Sequence, residues 1–324
     1  MSAPAGWPRV AVVGAGAVGG YFGGMLARAG APVVMIGRPA FVEAVKRGGL
    51  FLDALQFQER VKVDASAELS AARGADIVLF CVKTTDNAAT AAALAPLIAP
   101  GAMVVSMQNG VDNVEQIRAA GIANALPSVV YIGAFVPEPG RVKHTGRGDL
   151  VFGPESEHTR RLADLFGRAG VPVRVSSNIE GELWTKFIAN CALNAISALS
   201  RAKYGQIAAD PETWKLVEGA VVEVLDVARA CQVDLGPLAD AEKAFELARK
   251  IAAQLPEAIS STGQDLMRGK RTEIDSLNGF IARRGMALGI PAPANHTLWA
   301  LVKLAEAAAE SAGAEKSRNS KASV

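Results

Sequence analysis

The chain has 324 residues, enough for two domains, and its 34 Lys and Arg residues nearly balance 32 Asp and Glu residues, giving a formal net charge of +2. This balance gives no argument for binding nucleic acid or an anionic membrane surface. Three well-separated cysteines without a C-x-x-C pair indicate neither a disulfide framework nor a zinc site, and they fit a reducing cytoplasm. Three scattered histidines indicate no metal centre, so we expect a cytoplasmic protein without a metal.

The first predicted elements are a buried strand over residues 10–13 and a helix behind it. Gly14, Gly16 and Gly19 join them at G-x-G-x-x-G spacing. In a dinucleotide site the first glycine allows a tight turn, the second admits the pyrophosphate, and the third lets helix and strand pack closely. The alternative is a glycine-rich turn of another α/β domain. We predict that the pyrophosphate lies against the loop formed by Gly14, Ala15, Gly16, Ala17, Val18 and Gly19.

The second predicted strand, residues 33–36, indicates which dinucleotide binds. A site that prefers NAD usually has Asp or Glu about 20 residues after the glycines. Here no acidic residue precedes Glu43, and Arg38 follows the strand. An arginine at this position can pair with a 2′-phosphate, so we predict NADP(H) as the cofactor. Alternatively, Arg38 is only a solvated charge at a strand end.

Strand and helix patterns alternate through the first half of the chain, which predicts an α/β fold with a parallel, doubly wound sheet. Short apolar runs over residues 49–63 predict an antiparallel excursion from that sheet. We assign residues 9–178 to an N-terminal Rossmann dinucleotide-binding domain. Its further strands are predicted at residues 76–82, 102–107, 128–135, 149–152 and 171–175, with helices from residue 86 and over 159–169.

After residue 178 the strand patterns almost vanish, which predicts an all-helical C-terminal domain over residues 179–310. The helical pattern is present at residues 180–199, 211–232, 238–250 and 272–288. Residues 311–324 are small, polar and charged, and we expect a disordered tail there. The uncharged stretches 10–27 and 87–111 are interrupted by glycine or proline, so we expect no membrane span and no targeting segment.

Two polar residues directly follow buried strands, at the ends where an α/β sheet binds ligands. Lys83 follows one strand, and we expect it near the cofactor. Asn109 follows the next, and we expect it near the nicotinamide, where cofactor and substrate meet. The alternatives are a solvated lysine and an ordinary Asn-Gly turn.

The helix after residue 178 contains a polar stripe. Lys186, Asn190 and Asn194 are spaced i, i+4 and i+8, which puts them on one helix face. Polar groups in such an apolar helix are costly unless they meet ligands or partners, although a solvent-facing stripe is the alternative. Lys186 is the best candidate for a general acid, because an ammonium stabilises the charge that develops when hydride reduces a ketone. The surrounding apolar residues are Trp184, Phe187, Ile188 and Leu193.

Among the carboxylates, Glu273 is the one that we expect to orient Lys186 or to hold a substrate hydroxyl. Ser261 lies 12 residues earlier, so the two side chains would point about 120° apart on one straight helix. Both can face one cleft only if the chain breaks between them, and Gly269 offers such a break. The alternative for Glu273 is an ordinary surface position.

These residues together resemble the ketopantoate reductase family, the NADPH-dependent 2-dehydropantoate 2-reductases of pantothenate biosynthesis. The specific segments are ELWTKFIANCALN and RTEIDSLNGF, and the resemblance extends to Gly289-Ile290-Pro291-Ala292-Pro293. It implies a 2-oxo acid substrate in a cleft between the two domains. It also implies that Lys186 is the general acid and that Glu273 supports it or binds the substrate. The implied substrate contacts are Asn109, Asn190, Asn194 and Ser261, and the implied cofactor contacts are Arg38, Lys83, Asn109 and the Ala134 backbone.

One position departs from the family pattern. Where family members have another substrate-contacting asparagine, simple counting places Tyr204. The first hypothesis is therefore reduction of 2-dehydropantoate to (R)-pantoate, and the alternative is a reductase for another branched or aromatic 2-oxo acid. A non-catalytic NADP-sensing protein is a third hypothesis, which Lys186 and Glu273 argue against. A homodimer is left open, because the sequence does not determine the oligomeric state.

Overall fold

The structure, a computed structural model, describes the backbone of residues 6–322 and the side chains of residues 6–311. The chain divides into two compact units, and the division falls between Ile179 and Glu180. The first unit is built on a sheet. Its strands are β1 (Val10–Val13), β2 (Val33–Ile36), β3 (Leu50–Asp53), β4 (Gln58–Val61), β5 (Asp64–Ser66), β6 (Ile77–Phe80), β7 (Met103–Ser106), β8 (Leu126–Phe135), β9 (Arg141–Phe152) and β10 (Val173–Val175).

Six strands form a parallel sheet in the order β5-β2-β1-β6-β7-β8. Counted along the chain this is the Rossmann order, in which the direction of winding reverses between the first and fourth parallel strands. All residues of β1, β6 and β7 are buried, as expected for parallel strands with both faces covered. The predicted Rossmann fold is confirmed, and its ligand crevice is expected beyond the ends of β1 and β6.

Beyond β8 the sheet is mixed, whereas the alternation of strands and helices indicated parallel pairing for the strand that follows β8. β9 runs antiparallel to β8, since only a short connection joins them and a parallel return needs a crossover of a dozen or more residues. β9 then pairs with β3, and β3 with β4 is the expected antiparallel excursion. The strand predicted at residues 149–152 begins earlier, at Arg141, and its first half alternates buried Val142 and His144 with exposed Lys143 and Thr145.

The helices of the first unit are α1 (Ala17–Arg28), α2 (Pro39–Gly48), α3 (Asn87–Leu94), α4 (Asn113–Ala119) and α5 (Glu157–Arg168). Glycines let α1 lie very close to the sheet. A Cβ added at Gly20 would be 2.6 Å from Val142 Cγ2, and one added at Gly23 would be 2.6 Å from Val12 Cγ2. The position of α1 over β1 and β9 therefore depends on residues without a side chain.

The described residues from 180 onward form helices joined by loops and contain no strand, which confirms the predicted fold class. It begins within α6, because that helix starts one residue before the division. The helices are α6 (Ile179–Ser200), α7 (Tyr204–Ala209), α8 (Pro211–Ala230), α9 (Ala241–Gln254), α10 (Ser261–Met267), α11 (Asn278–Leu288) and α12 (Pro293–Ala322).

Three helices of this unit, α7, α10 and α12, were not predicted from the sequence, and two further differences concern the start of α11 and the C-terminal segment. The helix predicted from residue 272 begins only at Asn278, and a 3-10 turn, Ile274–Ser276, precedes it. The backbone of α12 continues to Ala322, across most of the segment expected to be a disordered tail. That segment contains alanine, glutamate and lysine, which favour helix continuation. Residues 323 and 324 lie outside the described part of the chain.

Candidate active site

The glycine loop between β1 and α1 is held by backbone hydrogen bonds. The N–H groups of Gly14 and Ala15 both donate to the Ile36 carbonyl at 3.0 Å, and Gly16 N–H donates to the Gly14 carbonyl at 2.8 Å. Gly14 has a φ of +97°, which a residue with a side chain adopts only with strain. This conformation turns the chain sharply from the strand into the helix.

The three motif glycines differ in what surrounds them. A Cβ at Gly14 would lie 2.7 Å from the Cys81 carbonyl carbon, and one at Gly19 would lie 2.4 Å from the Gly14 oxygen. At Gly16, which is exposed, an added Cβ would meet no atom within 4 Å. Gly14 and Gly19 are therefore required by packing, whereas the space at Gly16 is open to a ligand.

The start of α1 suits an anion. Gly16 is its N-cap residue and provides no side-chain cap, and the first turn contains no acidic residue. The first N–H groups of a helix have no partner within the helix, so they can donate to a phosphate. Together with the open space at Gly16, these features fit the pyrophosphate of a dinucleotide.

Arg38 lies beside this loop. It follows β2 as the N-cap residue of α2, and its side chain is exposed. The preceding Gly37 is close to the loop, because a Cβ added there would lie 3.1 Å from Ala15 Cβ. Among the described residues, Arg38 forms no ion pair. The structure thus places Arg38 where the sequence predicted it, and its role toward a 2′-phosphate stays a prediction.

The ends of three neighbouring strands meet at the expected crevice. Cys81 N–H donates to the Val13 carbonyl at 2.8 Å, and Met107 N–H donates to the Phe80 carbonyl at 2.9 Å. Lys83 and Asn109 follow these ends, and both are half-buried. Asn109 does begin an Asn-Gly turn, since Gly110 has a φ of +97°. The alternative interpretation, an ordinary Asn-Gly turn, is therefore correct for the Asn109 backbone.

Buried side-chain amides hold these two loops, and the sequence analysis missed them. Gln108 Nε2 donates to the Val82 carbonyl at 3.0 Å, which ties the Asn109 loop to the Lys83 loop. Asn113 Nδ2 donates to the Asn109 carbonyl at 2.6 Å, and Asn87 Nδ2 donates to Asn113 Oδ1 at 3.2 Å. The sequence signal that could have identified these amides is that they are polar residues in or next to an uncharged, largely apolar stretch.

Ala134, the other predicted cofactor contact, lies near the end of β8 and is half-buried. It pairs with His144 of β9, directly after a register shift at Gly133. The strand ladder is irregular at that shift. The contact of its backbone with a cofactor stays a prediction.

In the second unit, α6 carries the predicted Lys186, Asn190 and Asn194 along one face. Lys186 and Asn190 are half-buried, and Asn194 is only 2 % exposed. The alternative interpretation, a stripe that faces solvent, is therefore wrong for Asn194. Its side-chain oxygen accepts a hydrogen bond from Tyr204 Oη at 2.8 Å, so the residue that departs from the family pattern is a direct neighbour of a predicted substrate contact.

Ser261 lies at the first position of α10 and is exposed. The neighbouring Ser260 fixes this helix end, because its Oγ donates to the Asn194 carbonyl at 2.9 Å and accepts from Gly263 N–H at 3.0 Å. The fold therefore brings the start of α10 to Asn194, which is distant in sequence. The sequence analysis singled out Ser261 and missed the anchoring role of Ser260.

The chain break expected between Ser261 and Glu273 is present, since α10 ends at Met267 and Gly269 has a φ of +62°. Glu273 itself is half-buried and precedes the 3-10 turn. Residues on both sides of it bind α12. Thr272 donates to Glu306 Oε1 through N–H at 2.6 Å and through Oγ1 at 2.7 Å, and Asp275 accepts from Lys303 at 2.9 Å.

Asp275 stays charged in this arrangement. Burial by itself would raise the pKa of the Asp275 carboxyl, but hydrogen bonds from Lys303 and Trp299 outweigh it and lower that pKa below its usual value. The negative charge keeps the segment bound to α12. The backbone position of Glu273 is thus set by a helix that begins some 20 residues later in the sequence.

The segment after Glu273 packs on α6. Asn278 Nδ2 donates to the Cys191 carbonyl at 3.0 Å, and the Phe280 ring contacts the rings of Trp184 and Phe187 at centroid distances of 6.1 and 5.8 Å. These contacts lie on both sides of Lys186 along α6. The structure therefore brings the Glu273 segment to the part of α6 that carries Lys186.

Among the described residues, no group of histidine, cysteine and carboxylate side chains could hold a metal ion. In the same part of the chain, no helix is both long and apolar enough to cross a bilayer.

A Rossmann unit with a glycine-rich loop, followed by a helical unit with a lysine and two amides on one face, is the arrangement expected of a dinucleotide-dependent oxidoreductase. Residues 10–157 match the family model described as ketopantoate reductase PanE/ApbA, and residues 178–306 match the model of its C-terminal part. The chain belongs to the ketopantoate reductase family and is an oxidoreductase. Family membership and the loop both support a nicotinamide dinucleotide as its cofactor.

Individual relatives agree with the family match. A 2-dehydropantoate 2-reductase of Pyrococcus horikoshii is 33% identical over 92% of this chain and 97% of its own. A PanE/ApbA family ketopantoate reductase structure from Ralstonia eutropha is 48% identical, with a TM-score of 0.88, and covers 93% of this chain and 99% of its own. The fold is also shared by a D-mandelate dehydrogenase structure with NADH. That structure is 24% identical, has a TM-score of 0.85, and covers 93% of this chain and 99% of its own.

Proposed function

We propose that this protein reduces 2-dehydropantoate to (R)-pantoate with NADPH. The observation that carries the proposal is the α6 face on which Lys186, Asn190 and Asn194 lie in an apolar helix. An ammonium and two amides are the groups needed to bind a 2-oxo acid and to protonate its carbonyl oxygen. A bound reduced nicotinamide supplies the hydride.

The first unit contributes cofactor binding in this proposal. The loop from Gly14 to Gly19 holds the pyrophosphate through backbone N–H groups, and Arg38 pairs with the 2′-phosphate. Lys83, Asn109 and the Ala134 backbone contact the rest of the cofactor. The amides around Asn87 and Gln108 keep the Lys83 and Asn109 loops in place without touching the ligand.

The second unit contributes the proton. The Lys186 ammonium donates a hydrogen bond to the 2-oxo oxygen, stabilises the negative charge that develops there, and transfers its proton to form the alcohol. Glu273 orients Lys186 or accepts a hydrogen bond from the substrate hydroxyl. Asn190, Asn194, Ser261 and Asn109 bind the remaining polar groups of the substrate.

The second candidate function is reduction of another branched or aromatic 2-oxo acid. The observation in its favour is the aromatic side chain of Tyr204 against Asn194. A larger apolar substrate group would pack on that ring better than on a small polar side chain.

The test is oxidation of NADPH, followed by absorbance, with 2-dehydropantoate, 2-oxoisovalerate and phenylglyoxylate. We expect 2-dehydropantoate to give the highest kcat/KM. A higher kcat/KM for either of the other two acids would mean that 2-dehydropantoate is not the preferred substrate, and only the reaction class, reduction of a 2-oxo acid, would stand. Absence of oxidation with every 2-oxo acid, with NADPH and with NADH, would overturn the proposed function.

A further inference from the structure

The contact between Tyr204 and Asn194 has a direction. Tyr204 Oη donates and Asn194 Oδ1 accepts, at 2.8 Å, inside the second unit. Burial raises the pKa of Tyr204 to about 12, so the hydroxyl keeps its proton at every pH used to assay a reductase. The Tyr204 hydroxyl is therefore a permanent donor toward Asn194.

The Tyr204 ring is held by its backbone. Tyr204 N–H donates to the Ala258 carbonyl and Gly205 N–H donates to the Pro256 carbonyl, both at 3.0 Å. A Cβ at Gly205 would lie 3.0 Å from Pro256 Cβ, so the two segments are in close contact. An ion pair between Lys203 and Glu257 joins the same segments. The hydroxyl is thus presented to Asn194 from a fixed position.

Asn194 is held equally well from its other side. The main-chain carbonyl of Asn194 accepts from Ser260 Oγ at 2.9 Å, and Ser260 N–H donates to Ser197 Oγ at 3.1 Å. The ends of α6, α7 and α10 therefore meet at Asn194. These contacts fix the main chain of Asn194, so the orientation of its side-chain amide is what Tyr204 determines.

An asparagine amide has one acceptor oxygen and a donor NH₂ group. Tyr204 donates to one lone pair of that oxygen and so fixes the side of the amide on which the oxygen lies. Among the described residues, none accepts a hydrogen bond from Asn194 Nδ2. On the side turned away from Tyr204, Asn194 therefore presents its NH₂ donor to a ligand.

We propose that Tyr204 is a positioning residue that sets substrate specificity, because it orients the Asn194 amide so that its NH₂ donor, and not its oxygen, faces the substrate. This inference rests on the proposed function. A donor recognises the carboxylate or carbonyl oxygen common to all 2-oxo acids. A substrate hydroxyl can accept from this donor through its oxygen, but its own proton finds no acceptor at Asn194, so the Tyr204 hydroxyl reduces the preference for hydroxylated substrates.

The test compares two substrates that differ only in the hydroxyl, 2-dehydropantoate and 3,3-dimethyl-2-oxobutanoate, in the Tyr204→Phe variant. This change keeps the ring and removes the donor, so the Asn194 amide can turn its oxygen to the substrate hydroxyl. We expect the ratio of kcat/KM for the hydroxylated over the plain acid to rise about 2- to 10-fold, the value of one hydrogen bond. The change should occur in KM, with kcat nearly unchanged.

Two controls identify the route of the effect. In an Asn194→Ala background, Tyr204→Phe should leave the ratio unchanged, because no amide is left to orient. Tyr21→Phe, which removes a buried hydroxyl from α1, should leave it unchanged in the wild-type background. An equal effect of Tyr204→Phe with and without Asn194 would mean that Tyr204 touches the substrate itself and would overturn the inference.

Thermal unfolding would reveal whether Tyr204→Phe fails to fold, and in that case a second variant tests the inference. Asn194→Asp replaces the donor by a second acceptor oxygen, so KM should rise for both acids and the ratio should shift toward the hydroxylated one. An unchanged ratio in a folded, active variant of either kind overturns the inference about Tyr204. A wild-type protein that reduces no 2-oxo acid overturns the proposed function, and the inference with it.

Discussion

Gly19 faces the carbonyl oxygen of Gly14, and a Cβ added at Gly19 would lie 2.4 Å from that oxygen. At Gly16, three residues earlier, the same addition meets nothing within 4 Å. The two glycines of one motif thus have different physical reasons to be glycine. One is needed to assemble the loop, and the other leaves room for a ligand.

This difference predicts opposite behaviour of two alanine variants. Gly19→Ala should destabilise the protein by about 1–3 kcal/mol, because backbone atoms must shift. Gly16→Ala should keep its stability, since its φ of −86° suits alanine, but it should weaken dinucleotide binding at least tenfold. Thermal unfolding and a titration with NADPH measure the two effects. Equal binding by wild type and Gly16→Ala would argue against the loop as the pyrophosphate site.

Arg38 should determine the choice between the two nicotinamide cofactors. A charge-assisted contact with a 2′-phosphate contributes roughly 1.5–3 kcal/mol, so NADPH should exceed NADH at least tenfold in kcat/KM. Arg38→Ala should lose most of that preference while activity with NADH changes little. Steady-state kinetics with both cofactors would show this, and equal losses for the two would refute the assignment.

Lys186 should act on the chemical step. Lys186→Ala should lower kcat by roughly 10²- to 10⁴-fold, because a positioned acid is lost, and should leave NADPH binding nearly intact. Lys250→Ala, an exposed lysine of α9, is the matched control and should behave like wild type. If Lys186→Ala lost NADPH binding and kept kcat, Lys186 would be a cofactor ligand.

Asp275 should stabilise the Glu273 segment in a pH-dependent way. Its pKa in the folded protein is below the usual 3.8, so its stabilising effect is complete above about pH 5 and is lost as pH falls through the folded pKa. Asp275→Asn should therefore lower the melting temperature at pH 7, and the difference should shrink toward pH 3. Both side chains of the Asp275–Lys303 pair are over one-third exposed, so we expect only about 1 kcal/mol.

Melting curves of the wild type and of Asp275→Asn at pH 7, 5 and 3 would measure this. Lys215→Ala removes an exposed ion pair with Glu212 on α8 and is a suitable control. A difference that grows as the pH falls would contradict the expected sign.

Local patterns in the sequence determined the parts of this protein that depend on neighbouring residues. The buried strand, the glycine spacing and the helix after it predicted the phosphate loop, and Arg38 follows from the next strand. The stripe of Lys186, Asn190 and Asn194 needed only the period of one helix. Such features are set within a few residues, so a sequence displays them directly.

Tertiary contacts decided the rest. The antiparallel return of β9 depends on pairing with β8, and the late start of α11 depends on bonds from Thr272 and Asp275 to a helix far along the chain. The Tyr204 side chain could be counted along the sequence, but its hydroxyl bond to Asn194 exists only because two segments meet in space. Hydrogen bonds between distant residues leave no periodic pattern in a sequence, because either partner alone is an ordinary polar residue.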